Sequence, residues 1–369
     1  MAKNLHNKPF DEATILKLEI FEQYLQVWLP TFLYSPFEGN IQIWDFFAGQ
    51  GYDMEGIEGS PIRILHVIAK FKEDIKRTNK KIQVIFNELD KRKYELLQSF
   101  VKDYLKQMED LDAYVYIHIE NKRFDVLFQE KENRLRAGNN LIFIDQNGVK
   151  EVSESVFAKL CKLRRTDFMF FISSSYFKRF GEEFKKLHPK LDIEKIAKTE
   201  YKKIHLQVHE LFQIYAKESN QEMFLFPFSI QKKLEKGFNI YGLVFGAKHI
   251  AAAVKFLEIV WKKNPINGNA DYDIEEERKS AGQVDLFTGE PKPTKVAKFQ
   301  EDLETLILNK TLKTNIEVFL FTYKSGHVSE HAQKVVEKLK KGKKIHFNGS
   351  LRISYNAYKD NNIVDYEIL

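Results

Sequence analysis

Three unbroken apolar runs, Val84-Ile85-Phe86, Leu141-Ile142-Phe143-Ile144 and Met169-Phe170-Phe171-Ile172, constrain the fold of this chain more than any other feature. A strand with one wet face alternates apolar and polar residues, whereas a strand covered on both faces reads as a continuous apolar run. The runs therefore predict a mostly parallel sheet between two helical layers. The rest of the first half fits: strand Ile41 to Phe46, a helix opened by Ser60-Pro61, strand Ile82 to Phe86, helix Lys91 to Met108 and strand Tyr114 to Ile119. Helix Val126 to Arg136, strand Leu141 to Ile144, helix Ser153 to Leu163 and strand Phe168 to Ile172 continue the alternation. Five strands separated by helices imply a doubly wound α/β fold. An amphipathic helix leads them, with Ile15, Leu18, Phe21, Leu25 and Leu29 at helical spacing before Pro30. Helical stretches Phe177 to Leu187 and Tyr201 to Tyr215, strand-like runs Phe224 to Ile230 and Ile240 to Phe245, and a helix His249 to Lys262 would complete the sheet.

The segment from Asn264 to Thr294 holds Pro265, Gly268, Gly282, Gly289, Pro291 and Pro293 among many charges and reads as a linker. The expected division is residues 1–263, linker 264–294 and a tail of 295–369. In the tail, a helix Phe299 to Asn309, an apolar run Ile316 to Tyr323 and a helix Ser329 to Lys341 stopped by Gly342 precede two short runs, Ile345 to Phe347 and Leu351 to Tyr355. Asn348-Gly349 between them is a hairpin signal, so the tail reads as a winged helix-turn-helix. Lys338, Lys341, Lys343 and Lys344 near its third helix are candidate phosphate contacts, although a run of lysines is also what a solvated face looks like.

The balance of 58 Lys+Arg against 52 Asp+Glu permits a nucleic-acid partner without requiring one. Cys161 is the only cysteine, which excludes an internal disulfide and a cysteine-rich metal site and fits a reducing cytoplasm. The longest apolar runs fall short of the roughly 20 residues of a membrane span, and Met-Ala-Lys-Asn carries no apolar signal core.

A doubly wound sheet binds ligands outside the carboxyl ends of its strands. There the chain places Asp45-Phe46-Phe47-Ala48-Gly49-Gln50-Gly51, Asn87-Glu88-Leu89-Asp90 and Asp145-Gln146-Asn147-Gly148. Glycines after the first strand let a ligand lie against bare backbone, and an acid after the second can bond a ribose. Each has a plainer use: a turn at Gly49 and Gly51, a helix-opening acid at Glu88 or Asp90, a turn at Asn147-Gly148. His205 and His209 stand four apart, but Leu206 replaces the glutamate of a His-Glu-x-x-His zinc site, and no metal is expected there. Ser173-Ser174-Ser175 lacks the glycines of a nucleophile elbow.

The segment Asp45 to Gly51 resembles the first motif of S-adenosylmethionine-dependent methyltransferases. More narrowly, Trp28-Leu29-Pro30, Gly59-Ser60-Pro61, Phe86-Asn87-Glu88, Phe143-Ile144-Asp145, Val244-Phe245-Gly246-Ala247-Lys248-His249 and Trp261-Lys262 resemble the bacterial three-Cys-motif partner family. The resemblance implies a Rossmann-like methyltransferase sheet followed by a winged helix, S-adenosylmethionine as cofactor, and a cysteine-bearing protein partner in a bacterial defence role. By the same resemblance Asp45, Phe47, Ala48, Gly49 and Gly51 lie along the cofactor, Glu88 takes the ribose hydroxyls, Phe124 lies near the adenine, and Asp145 faces the acceptor as the catalytic residue. The family tends to show Asp-Pro-aromatic-Gly where this chain has Asp145-Gln146-Asn147-Gly148, so the resemblance implies cofactor binding more firmly than methyl transfer; Tyr176 or Phe177 would have to supply the missing aromatic. Three functions stay open: a methyltransferase acting on DNA or RNA, a catalytically degenerate interaction protein, and a metal-dependent nuclease using Asp45, Glu88 and Asp145.

Overall fold

The structure is a computed structural model that describes residues 9–146, 150–173, 181–190, 192–200, 203–233, 238–271, 293–349 and 351–369. The chain divides into two compact units, Met1–His249 and Ile250–Leu369. The expected linker lies largely in 272–292, outside the described residues, as do Asn147, Gly148, Tyr176 and Phe177.

The first unit begins with α1 (Glu12–Leu33), β1 (Ile41–Asp45), α2 (Ser60–Lys70), α3 (Lys72–Thr78), β2 (Ile82–Asn87), α4 (Lys91–Leu105) and β3 (Val115–Glu120). It continues with α5 (Phe124–Glu130), α6 (Glu132–Ala137), β4 (Asn139–Ile144), α7 (Glu154–Lys162) and β5 (Thr166–Ser173). Then come α8 (Gly181–Leu187), α9 (Ile193–Lys198), α10 (Ile204–Glu218), β6 (Phe224–Lys233) and β7 (Phe238–Ala247). The strands form one seven-stranded sheet in the order β3-β2-β1-β4-β5-β7-β6. β1 to β5 run parallel, while β7 is antiparallel to both β5 and β6. This is the expected doubly wound, mostly parallel, Rossmann-like sheet. Every residue of β1, β4 and β5 is buried, which is why β4 and β5 read as apolar runs. The edge strand β3 leaves Tyr116 exposed.

Local chemistry sets the helix starts. Pro61 lies in the first turn of α2, where its missing N–H costs nothing. The Asp90 carboxylate accepts from the N–H groups of Arg92 and Lys93 at the head of α4, and Ser153 caps α7. Pro30 does not end α1 as expected; the helix runs one turn further, to Leu33. α1 is packed against the sheet rather than merely preceding it. Phe21 stacks on Phe143 with ring centroids 4.2 Å apart, and the Tyr24 hydroxyl donates to Asp167 at 2.7 Å. Burying side chains the size of Phe21 and Trp28 stabilises such packing by roughly 2–3 kcal/mol each.

The second unit contains α11 (Ile250–Lys263), α12 (Lys295–Leu308), α13 (Asn315–Lys324), α14 (Ser329–Lys341), β8 (Ile345–His346), α15 (Tyr355–Lys359) and β9 (Glu367–Ile368). The sequence pattern grouped α11 with the sheet; in the structure it belongs to this unit, where Trp261 donates to the Gly326 carbonyl at 2.9 Å. Thr314 and Glu317 form a reciprocal capping box on α13. The predicted hairpin around Asn348-Gly349 is not what forms: β8 pairs antiparallel with β9 at the chain's end. Gly349 does turn, at φ +80°, but the following residues serve the helices. Leu351 and Ile353 are buried, the Leu351 carbonyl accepts from Gln333, and the Arg352 carbonyl accepts from Asn315. With those carbonyls engaged, the last residues supply the pairing strand.

Candidate cofactor and acceptor site

The strand order reverses between β1 and β4, so the loop after Asp45 leaves the sheet at the point where such folds open a crevice. The Phe46 N–H donates to the Phe143 carbonyl at 3.1 Å and the Ala48 N–H to the Asn87 carbonyl at 2.9 Å, tying this loop to both neighbouring strands. Gly49 at φ +68° and Gly51 at φ +100° then turn through conformations that side chains resist. Gly59 closes the loop, donating to the Gly51 carbonyl at 2.7 Å. A Cβ at Gly59 would stand only 3.0 Å from that oxygen, a tight contact that the Gly51 carbonyl would have to give way to by a few tenths of an ångström.

Glu88 meets this loop. Burial raises its pKa above the ordinary range, opposed by the N–H of Asp90, the Lys93 ammonium and the N–H of Gly49. The Asp90 N–H lies 2.7 Å from Glu88 Oε1. The glycine turn and the acid expected to bind ribose are therefore neighbours. Asn87, buried, holds the frame: its amide donates to the Phe46 and Lys122 carbonyls and accepts from the Lys122 N–H, joining the loops after β1, β2 and β3. Phe124 is buried beneath Phe47, with centroids 5.6 Å apart, and beside Phe46 at 5.1 Å. It supports the half-buried Phe47 rather than facing the crevice itself.

Asp45 is almost wholly buried. Burial pushes its carboxyl up to about 7, the nearby Ser60 hydroxyl and the Phe47 N–H oppose this, and the Asp145 and Glu88 carboxylates add to it. Its Oδ1 accepts from the Phe47 N–H at 3.2 Å, while Oδ2 has no hydrogen-bond partner in the protein. A buried carboxyl oxygen left without a donor is costly unless something else supplies one.

Asp145 stands at the end of β4 and is not free. Both its oxygens lie 2.7 Å from Lys17 Nζ on α1. Gln146 is buried and donates to the Phe171 carbonyl while accepting from the Glu151 N–H. Lys17 and the bracing role of Asn87 were missed in the sequence. For Lys17 a signal existed: it heads the stripe Lys17, Phe21, Tyr24, Trp28, whose three aromatics are buried. Among the described residues, no group of three or more His, Cys, Asp or Glu side chains is placed to hold a metal ion. His209 contacts the Leu225 carbonyl at 3.2 Å and His205 is buried against β7.

In the second unit, Lys338 and Lys344 both pair with Glu304 of α12, at 2.8 and 3.0 Å. The two ammoniums hold the Glu304 carboxyl below its ordinary range. Lys341 and Lys343 are exposed, Lys343 in a left-handed turn at φ +54°. All four candidate lysines are exposed, two of them paired with the Glu304 carboxylate.

Residues 271–350 match the family model described as the GMT-like wHTH domain. This agrees with the winged helix-turn-helix reading of the second unit. No curated protein matches the chain. Among solved structures it is similar to the complex of Trm1 from Pyrococcus horikoshii with S-adenosyl-L-methionine, at 11% identity and TM-score 0.36, over 68% of this chain and 59% of that one. It is also similar to the DszA carbon methyltransferase, at 10% identity and TM-score 0.36, over 64% of this chain and 55% of that one. The chain thus spans less than two thirds of the length of either.

Proposed function

We propose that the first unit binds S-adenosylmethionine at the carboxyl ends of β1 and β2 and acts as a methyltransferase on, or together with, nucleic acid engaged by the second unit. The observation that carries this reading is the meeting of the Gly49 turn with Glu88 beside the unpartnered Oδ2 of Asp45. Bare backbone, a ribose-binding carboxylate and a buried oxygen short of a donor are a chemically complementary set for a nucleoside joined to an ammonium-bearing tail. In this reading Gly49 and Gly51 border the cofactor, Glu88 takes the ribose hydroxyls, Asp45 takes a donor from the methionine end, and Asp145 faces the acceptor. The winged-helix family match supports the nucleic-acid partner. Titration calorimetry with S-adenosylhomocysteine tests the cofactor. We expect saturable binding that Gly51→Asp abolishes while the fold persists; no heat with the intact protein contradicts it.

The engagement of Gln146 within the protein favours a second reading, a methyltransferase fold kept as an interaction module for a protein partner. Cofactor binding without incorporation of a labelled methyl group into DNA or RNA would select it. A defence role rests only on the resemblance in sequence. A genetic challenge with phage is its test, and unchanged plaque counts on deletion would contradict it.

A further inference from the structure

The carboxyl edge of the sheet carries a second constellation, around Asp145, beyond the residues assigned to the cofactor itself. Lys17 Nζ lies 2.7 Å from both Asp145 oxygens, 5.0 Å from the centroid of the Phe171 ring and 5.7 Å from that of Tyr241. Its side chain is 12% exposed and that of Asp145 22%. A carboxylate combined with two aromatic faces is how proteins recognise alkylammonium groups, the ring quadrupoles and the anion acting on the same cation. Here the cation comes from the chain itself.

The placement has structural support. Tyr241 pairs in register with Ser173 of β5 and Ile230 of β6, so its ring stands at the same edge as Asp145. Lys232, at the end of β6, lies 5.7 Å from the Tyr241 centroid and forms an ion pair with Asp11, the residue that caps α1. The start of α1 is thereby held to this edge, and Lys17, on its second turn, is delivered to Asp145.

We propose that Asp145, Phe171 and Tyr241 form an alkylammonium subsite on the acceptor side, that Lys17 is its resident occupant, and that an acceptor presenting an amine enters by displacing Lys17. The proposal rests on the methyltransferase reading for the word acceptor, but the subsite's ligand chemistry stands on these contacts alone.

The test uses the full chain and n-butylammonium chloride, followed by calorimetry. Lys17→Met keeps a long apolar stem and removes the cation, so it should bind the probe at least tenfold more tightly than the wild type. Asp145→Asn added to Lys17→Met should remove that gain. Equal affinity of Lys17→Met and wild type, or a gain that survives Asp145→Asn, overturns the proposal. Should Lys17→Met not fold, the wild type still decides: acylation of Lys17 by an amine-reactive ester, read by mass spectrometry, should be slow and should accelerate severalfold with saturating tetramethylammonium chloride as the probe, a cation the ester cannot acylate. Labelling unaffected by the probe overturns the idea equally. Neither measurement contains the cofactor, so failure here leaves S-adenosylhomocysteine binding to stand or fall on its own titration.

Discussion

Replacing Asp45 by asparagine tests the electrostatics of the site through stability alone. A carboxyl moved from its ordinary 3.8 to about 7 disfavours the ionised folded form by about 4 kcal/mol, an order-of-magnitude value. Because the folded-state pKa is the higher one, the folded state holds its proton where the unfolded chain has lost it. The wild type therefore has this stability in full below the unfolded pKa near 4 and loses it as pH rises through about 7. The amide introduced by Asp45→Asn would not titrate. Set in place of the unpartnered Oδ2, it carries a roughly pH-independent cost of about 1–3 kcal/mol. The informative quantity is therefore the change with pH. Urea unfolding of both proteins from pH 5 to pH 8 should show the variant gaining about 2–3 kcal/mol on the wild type across that range. Buried histidines such as His327 and His331 contribute alike to both proteins and cancel. Stability curves that stay parallel across the range would refute the reasoning, since they would mean Asp45 has the same pKa folded and unfolded.

Asn87→Ala should destabilise the first unit by about 2–4 kcal/mol, since it strands two carbonyls and one N–H near the strand ends; a loss below about 0.5 kcal/mol in a denaturant melt would contradict the bracing role. His327 and His331 approach Nδ1 to Nδ1 at 3.1 Å, and burial lowers their pKa values to about 3 and about 4. Their folded-state pKa values lie below the unfolded value, so the second unit should lose stability as pH falls from about 6.5 toward 4. His327→Phe should flatten that decline in acid melts, and an unchanged pH slope would count against it. If Lys341 and Lys343 are phosphate contacts, converting both to Ala should lower the slope of log binding constant against log salt by roughly 2 on duplex DNA. An unaltered slope would remove them from the interface.

What the sequence disclosed follows the physics of burial. β2, β4 and β5 were legible because strands covered on both faces carry continuous apolar runs, and Gly49, Gly51 and Glu88 because a doubly wound sheet presents the residues after its strands. The antiparallel insertion of β7 between β5 and β6 was not legible, since Phe224 to Ile230 and Ile240 to Phe245 read the same in either direction. Lys17 was hidden because its partner Asp145 lies 128 positions away in the chain, and helical spacing says nothing about what a helix faces. The strand that pairs with β8 was misread because Asn348-Gly349 specifies a turn, not what the following residues bond to. Phe124 illustrates the reverse case: an aromatic expected after β3 opens α5 and is packed beneath Phe47.

The most direct measurement is a structure of the full chain with S-adenosylhomocysteine. The ribose hydroxyls are expected on Glu88, the backbone of Gly49 and Gly51 along the ligand, and the amino-acid end at Asp45 Oδ2. Ligand seated elsewhere, such as the shallow groove where Gln98 and Lys102 of α4 face Ile117 and Ile119 of β3, with the β1 and β2 ends empty, would contradict the proposed cofactor site.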